Sequence, residues 1–324
     1  MRIVHDWNRF WFTKVSARPL GVYRILFCAI ALFNLLVLTT DFDYWLTNKG
    51  MQRGFDSMDI AGPLRFSILN YYSDPLFVRV FFAATAVALT LFMVGWRTRI
   101  MSVISYFMML MIHHHNLCSI NGADVYLVVT AFYLMLSPCG AAYSLDARRE
   151  ALRRGGAAFV EPIVPAWSIR LIQVQLSVVY FTTAFLKLGG VTWQNGTALH
   201  YVINNEEIRR FDWGLIDVVW LVNIATYLTI VGEFALVFLL WSRSARFWVM
   251  IFGVLLHFGI VLTIHIPIFG ELCVATYVVF LTTDELDRYM RALNPLNWFA
   301  RRRTIGSDRS AEYSRGVAEQ PVPA

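Results

Sequence analysis

Three residues in this chain combine proton-transfer chemistry with surroundings that should exclude them: Lys187, Glu233 and His257. Lys187 closes the apolar run that begins at Tyr180. It is one of only three lysines among 28 basic residues, so a general preference for lysine did not place it there. Burial penalises the ammonium form, which is how a lysine becomes a base near neutrality. The competing reading is a side chain that snorkels to the outer headgroups. Glu233 and His257 sit deeper in their runs. At about 1.5 Å per residue, Glu233 lies about 12 Å from the inner end of its run, His257 about 18 Å and Arg24 about 6 Å. Depth therefore allows either a structural Glu233–Arg24 pair or a Glu233–His257 proton relay.

Other polar residues offer less chemistry. His113, His114 and His115 are consecutive at the outer end of a run. Successive helix positions diverge by about 100°, so the three do not converge on one metal and read as an interfacial cluster. No metal is predicted, and no zinc, nucleotide or serine-nucleophile motif occurs. Gln173 and Gln175 should face the bundle. Arg79 and Arg170 lie near span starts, where snorkelling suffices. Cys118 and Cys139 fall on opposite sides and cannot pair. Asn195-Gly196-Thr197 is a glycosylation sequon, with meaning only in a eukaryotic secretory pathway.

The elements that position these residues follow from composition. Of 324 residues, 57% are hydrophobic and 15% charged, against about 45–50% and 25% in soluble domains. That excludes a soluble enzyme, a disordered protein and a nucleic-acid binder, and predicts an all-α, polytopic membrane bundle. Eight stretches approach the roughly 20 apolar residues that a crossing needs: 20–39, 76–95, 100–118, 122–142, 167–188, 215–241, 245–266 and 268–283. With both termini cytoplasmic, 19 basic residues lie inside, five outside and four within spans, as the positive-inside rule requires. The net charge of +6 is thus a topology signal. Residues 1–18, with Trp7, Phe10, Trp11 and Phe12, predict an interfacial amphipathic helix. Residues 284–303, with Trp298 and Phe299, predict a similar basic segment, and 304–324 a disordered tail. The transmembrane domain spans 19–283.

Taken in order, several segments resemble the HTTM family, whose membrane domain is shared with vitamin K-dependent gamma-carboxylase. They are 18–27, Tyr44 to Gly50, Gly95 to Arg99, Asn121 to Asp124, Gln175 to Tyr180, Lys187 to Trp193, 196–199, Glu233, His257 and Ile266 to Phe269. In the carboxylase, a lysine in the same Lys-Leu…Trp setting deprotonates a reduced quinone. Oxygen then generates the base that takes a proton from glutamate, and carbon dioxide adds. The resemblance implies Lys187 as that base, with His257 and Glu233 in support. It also implies a reduced lipid quinone near Asn121, Asp124, Gln175, Tyr180 and Trp193. Two departures speak against protein-glutamate carboxylation. The carboxylase has Asn-His where this chain has Asn121-Gly122, and it carries a large lumenal C-terminal region.

Two functions follow. One is a quinol-acting enzyme of the bacterial cytoplasmic membrane, with its lysine at the outer face. The other is a non-catalytic scaffold or partner subunit that keeps the family bundle. A transporter finds no support in internal repeats.

Overall fold

The structure, a computed structural model, describes residues 2–50, 65–115, 120–155, 161–211 and 218–293. The expected span limits at Cys118 and Leu215, and the segment with Trp298, Phe299 and the tail beyond, lie outside these residues. The chain forms two compact units, Met1–Phe280 and Leu281–Ala324.

The first unit is helical apart from one short ribbon. After α1 (Arg2–Phe12), the long helices are α2 (Arg18–Val37), α4 (Pro75–Val94), α5 (Thr98–His115), α6 (Gly122–Leu136), α8 (Trp167–Leu188), α11 (Val219–Leu239) and α12 (Arg246–Thr263). Short helices α3 (Phe42–Leu46), α7 (Leu145–Arg153), α9 (Val191–Gln194), α10 (Ala198–Asn204) and α13 (Phe269–Thr276) join or follow them. Among the described residues, five are long and apolar enough to cross a membrane: α2, α4, α8, α11 and α12. The chain is an all-α membrane bundle.

Local signals set the helix ends. Asp74 accepts from the amides of Leu76 and Phe77 ahead of Pro75 at the start of α4, a side-chain N-cap with proline in the first turn. Gly95 ends that helix at φ 73°, and a Cβ there would collide with Ser144. Asn121 and Asp124 form a capping box on α6, which satisfies two otherwise orphaned donors. The helices alternate in direction. One end gathers the start of α2, the end of α4 and the loop after α6, which Arg24 joins through its hydrogen bonds. The same end holds the start of α8 and the end of α11, where Arg170 stacks over Trp241. This is the arginine-rich end.

Four expectations need correction. The fourth span was placed to residue 142, but α6 stops at Leu136. Pro138 cannot supply an amide to continue it. The eighth span is replaced by α13 and a 3-10 turn over Tyr277–Phe280. Twelve residues are too few to cross alone, yet eight of them are buried, while Glu271 is exposed. They form a central plug rather than a lipid-facing span. The interfacial segment at the N-terminus leads into a strand, Lys14–Ser16, paired antiparallel with Ile163–Pro165. Arg79 does not reach for headgroups. It binds both Asp43 oxygens at 2.8 Å.

Arg24 is fully buried and, among the described residues, pairs with no carboxylate. Its guanidinium donates to the carbonyls of Cys139 (2.6 Å), Tyr143 (2.6 Å), Ala142 (3.2 Å) and Met93 (3.4 Å). Helix-terminal carbonyls have no internal partner, so one cation ties α2 to the ends of α4 and α6. Beside it, Asp146 accepts from the amides of Arg97 (3.0 Å) and Thr98 (2.6 Å) and from the Thr98 hydroxyl (2.7 Å).

In the second unit, Thr282 donates from its amide and hydroxyl to Glu285 Oε2 at 2.7 and 3.0 Å. This caps α14 (Thr283–Leu293), where the amphipathic segment was expected.

Arg24→Met should cost about 3 kcal/mol or more, because it strands several buried carbonyls. A melting temperature in detergent that stays unchanged would contradict this role. Burial pushes the Asp146 carboxyl up, but the Thr98 and Arg97 donors outweigh burial and hold it below the usual carboxylate range. Its stabilisation is therefore complete above the ordinary aspartate range and fades as pH falls through the depressed value. Asp146→Asn should flatten the acid limb of the melting-temperature profile. An acid limb identical to wild type would remove the latch from the account.

Candidate functional site

Lys187 is the penultimate residue of α8, and Glu233 lies in the second half of α11. The two meet: Lys187 Nζ donates to Glu233 Oε1 at 2.7 Å and Oε2 at 2.8 Å. Their side chains are 20% and 9% exposed. The ammonium turns back into the protein rather than out to headgroups.

Two geometric facts produce this pair. Side chains lean toward the N-terminus of their own helix. Because α8 and α11 run in opposite directions, Lys187 leans inward and Glu233 leans outward, each toward the other. The helices are also not flush at the arginine-rich end. Trp241 Nε1 donates to Ser177 Oγ at 3.0 Å, so the foot of α11 stands well up the side of α8. From that shared level, Lys187 is about 15 Å along α8 and Glu233 about 12 Å along α11. Depths counted from each span's own end concealed the match. The structure selects neither of the two partners considered for Glu233, since Arg24 serves carbonyls and His257 serves Tyr180.

Around the pair, Trp193 lies with its ring centroid 5.3 Å from Lys187 Nζ, within cation–π range. The turn after α8 makes this placement. A Cβ on Gly190 would sit 2.9 Å from Trp193 Cδ1, so glycine allows the indole to fold back. Thr183 Oγ1 is 3.2 Å from Glu233 Oε2 and 3.1 Å from the Tyr180 carbonyl. Phe181, Phe185 and Leu186 on the same helix are exposed, while Glu233 is buried and Lys187 keeps part of its side chain open.

His257 sits one layer deeper. Its Nε2 is 2.7 Å from Tyr180 Oη, which is itself 2.7 Å from Tyr277 Oη. His257 Nδ1 is buried without a hydrogen-bond partner among the described residues. Nothing in the sequence marks Tyr277, because the plug that carries it has the apolar pattern of an ordinary span.

The remaining candidates lie elsewhere. Gln175 accepts from Tyr133 Oη at 3.2 Å, between α6 and α8 and about 18 Å along α8 from Lys187. Asp124 Oδ1 is 3.3 Å from His113 Nε2 and accepts from Asn34 Nδ2 at 3.2 Å. The Asn121 amide donates to Asp124 Oδ2 at 2.9 Å. These residues tie α2, α5 and α6 together. The histidines diverge as expected. His114 faces the Phe66 carbonyl at 3.3 Å, and His115 bridges Asn70 and the Leu46 carbonyl at 2.8 and 3.0 Å.

A helical membrane bundle with a polar cluster in the half away from its arginine-rich end is the class this fold defines. The HTTM domain matches residues 12–284, and the chain belongs to the HTTM domain family. It is similar to the sporulation-delaying protein SdpB of Bacillus subtilis (strain 168), with 22% identity over 217 residues. That alignment covers 64% of this chain and 65% of the relative, just under two thirds of its length. No solved structure matches the chain significantly.

Removing one member of a buried ion pair leaves an unpaired charge. Lys187→Met or Glu233→Leu should each cost about 2 kcal/mol, below the fully buried case because Lys187 keeps some exposure. The double variant should recover most of that loss in a double-mutant cycle. Strictly additive losses would mean that the pair does not couple.

Proposed function

We propose that this protein is a membrane enzyme that removes a proton from a lipid-soluble, quinol-type substrate, with Lys187 as the base. The observation that carries the reading is the Lys187–Glu233 pair, partly exposed at Lys187, under Trp193. The positive-inside rule puts the arginine-rich end in the cytoplasm and this pair near the outer face. The similar protein is bacterial, and we take the membrane to be the bacterial cytoplasmic one.

Ammonium with carboxylate, or amine with carboxylic acid, has the same net charge, so the proton belongs to the pair rather than to either residue. When that proton passes to water at the outer face, the Lys187 lone pair is free while Glu233 stays charged. A reduced quinone, when bound, supplies an acidic hydroxyl on a flat ring. Lys187 Nζ then takes the proton: the O–H bond breaks, an N–H bond forms, and the bonding pair stays on oxygen. The restored ammonium is held by Glu233 and by the Trp193 ring. The residues fit such a group. Phe181 and Phe185 lie nearly parallel, with centroids 6.0 Å apart, and both face lipid. The unpartnered His257 Nδ1 is a spare polar atom deeper in.

Quinone extraction from purified protein, followed by mass spectrometry, tests the reading. Wild type should carry a quinone. Lys187→Ala should lose quinol-dependent turnover by about 100-fold, the low end of what a positioned base contributes. Lys187→Arg should keep the ion pair and the fold yet remain inactive, because guanidinium does not give up its proton. Full quinol-dependent activity in Lys187→Arg, or wild type free of quinone, would favour a scaffold that merely keeps the bundle.

A further inference from the structure

At the arginine-rich end, away from Lys187, a cavity of about 360 Å³ opens between α1 and α8, lined by Asp6, Arg9, Phe10, Thr13 and Arg170. Arg170 is half-buried. Its Nη1 donates to Gln173 Oε1 at 2.9 Å, and its guanidinium carbon lies 4.7 Å from the Phe10 ring and 5.5 Å from the Trp241 ring. Among the described residues, no carboxylate lies within ion-pair distance of it, and Arg246 adds a like charge nearby. A cation inside a membrane protein normally finds a partner. Here the opposite wall brings a second cation, Arg9, whose contact with Asp6 is long at 3.8 Å. The cavity therefore carries two guanidinium groups against one carboxylate.

The same helix offers an apolar stripe. Ile3, Val4 and Trp7 are exposed at the i, i+1, i+4 spacing of one helical face, and α1 has no buried residue. Cationic cavity and apolar stripe together suit an occupant with an anionic head and an apolar body.

We propose that this cavity binds the phosphodiester headgroup of an anionic phospholipid from the cytoplasmic leaflet. Arg9 and Arg170 clasp the phosphate while the acyl chains lie along Ile3, Val4 and Trp7. Basic pockets on the cytoplasmic side of helical bundles are suited to such headgroups, and guanidinium matches phosphate geometry. The lipid supplies the counter-charge that Arg170 lacks and fixes α1 in the interface.

The test uses the full chain in nanodiscs of phosphatidylglycerol or phosphatidylcholine, with retained lipid counted by native mass spectrometry after detergent release. Wild type should retain phosphatidylglycerol over phosphatidylcholine. Arg9→Gln and Arg170→Gln should each weaken that retention about fivefold. Arg79→Gln, at the other end, should not change it. Arg9 is 70% exposed on its helix, so its variant keeps the fold and the test decidable. Equal retention of the two lipids, or no loss in either arginine variant, overturns the proposal. Displacement of the lipid by millimolar inorganic phosphate assigns the cavity to free phosphate instead and overturns the lipid assignment.

Discussion

Inside a bilayer there is no water to satisfy a polar group, so a charge enclosed by the helices needs a partner inside the bundle, and one at its edge needs a partner there or in a lipid headgroup. That constraint organises this molecule at three levels. Near the arginine-rich end, Arg24 is spread over four carbonyls and ties helices α2, α4 and α6 together. At the opposite end, Asp124 is shared between His113 and Asn34. Between α8 and α11, Lys187 is matched by Glu233. The first two are fully enclosed and act as structural ties. The third leaves a fifth of the Lys187 side chain exposed, which is why chemistry is assigned to it.

The plug formed by α13 and its 3-10 turn gives the site its depth. Tyr277 reaches Tyr180 from the plug, and Tyr180 reaches His257. The plug's other face uses Thr276 to meet Tyr23 and Tyr126 at 3.1 and 2.9 Å. A segment too short to span is thus held by hydroxyl contacts with α2, α6 and α8. The membrane's length requirement does not bind it, because other helices shield it from lipid.

Much of this was legible in the sequence, for physical reasons. Apolar run length and arginine placement are direct consequences of the bilayer, so the long helices and their alternation could be read. Lys187 stood out because a lysine is costly there and rare in this chain. The pairing was not legible. It depends on how far α11 is raised against α8, which Trp241 and Ser177 set and no single-span count reveals. Arg24 misled for a similar reason, since backbone carbonyls leave no trace in side-chain patterns. The ribbon of Lys14–Ser16 with Ile163–Pro165 joins segments nearly 150 positions apart, beyond any local periodicity. Asn121 and Asp124 were recognisable as important but serve a helix cap and a structural tie.

The central claim is that Lys187, held beside Glu233, takes a proton when a quinol-type substrate arrives. Infrared difference spectroscopy of the purified protein on adding a soluble quinol reads this directly. The account predicts a shift of the Glu233 carboxylate bands, as Lys187 beside it gains a proton, that Glu233→Gln abolishes and Asp124→Asn leaves in place. Spectra in which the Glu233 bands stay fixed through quinol addition would contradict it.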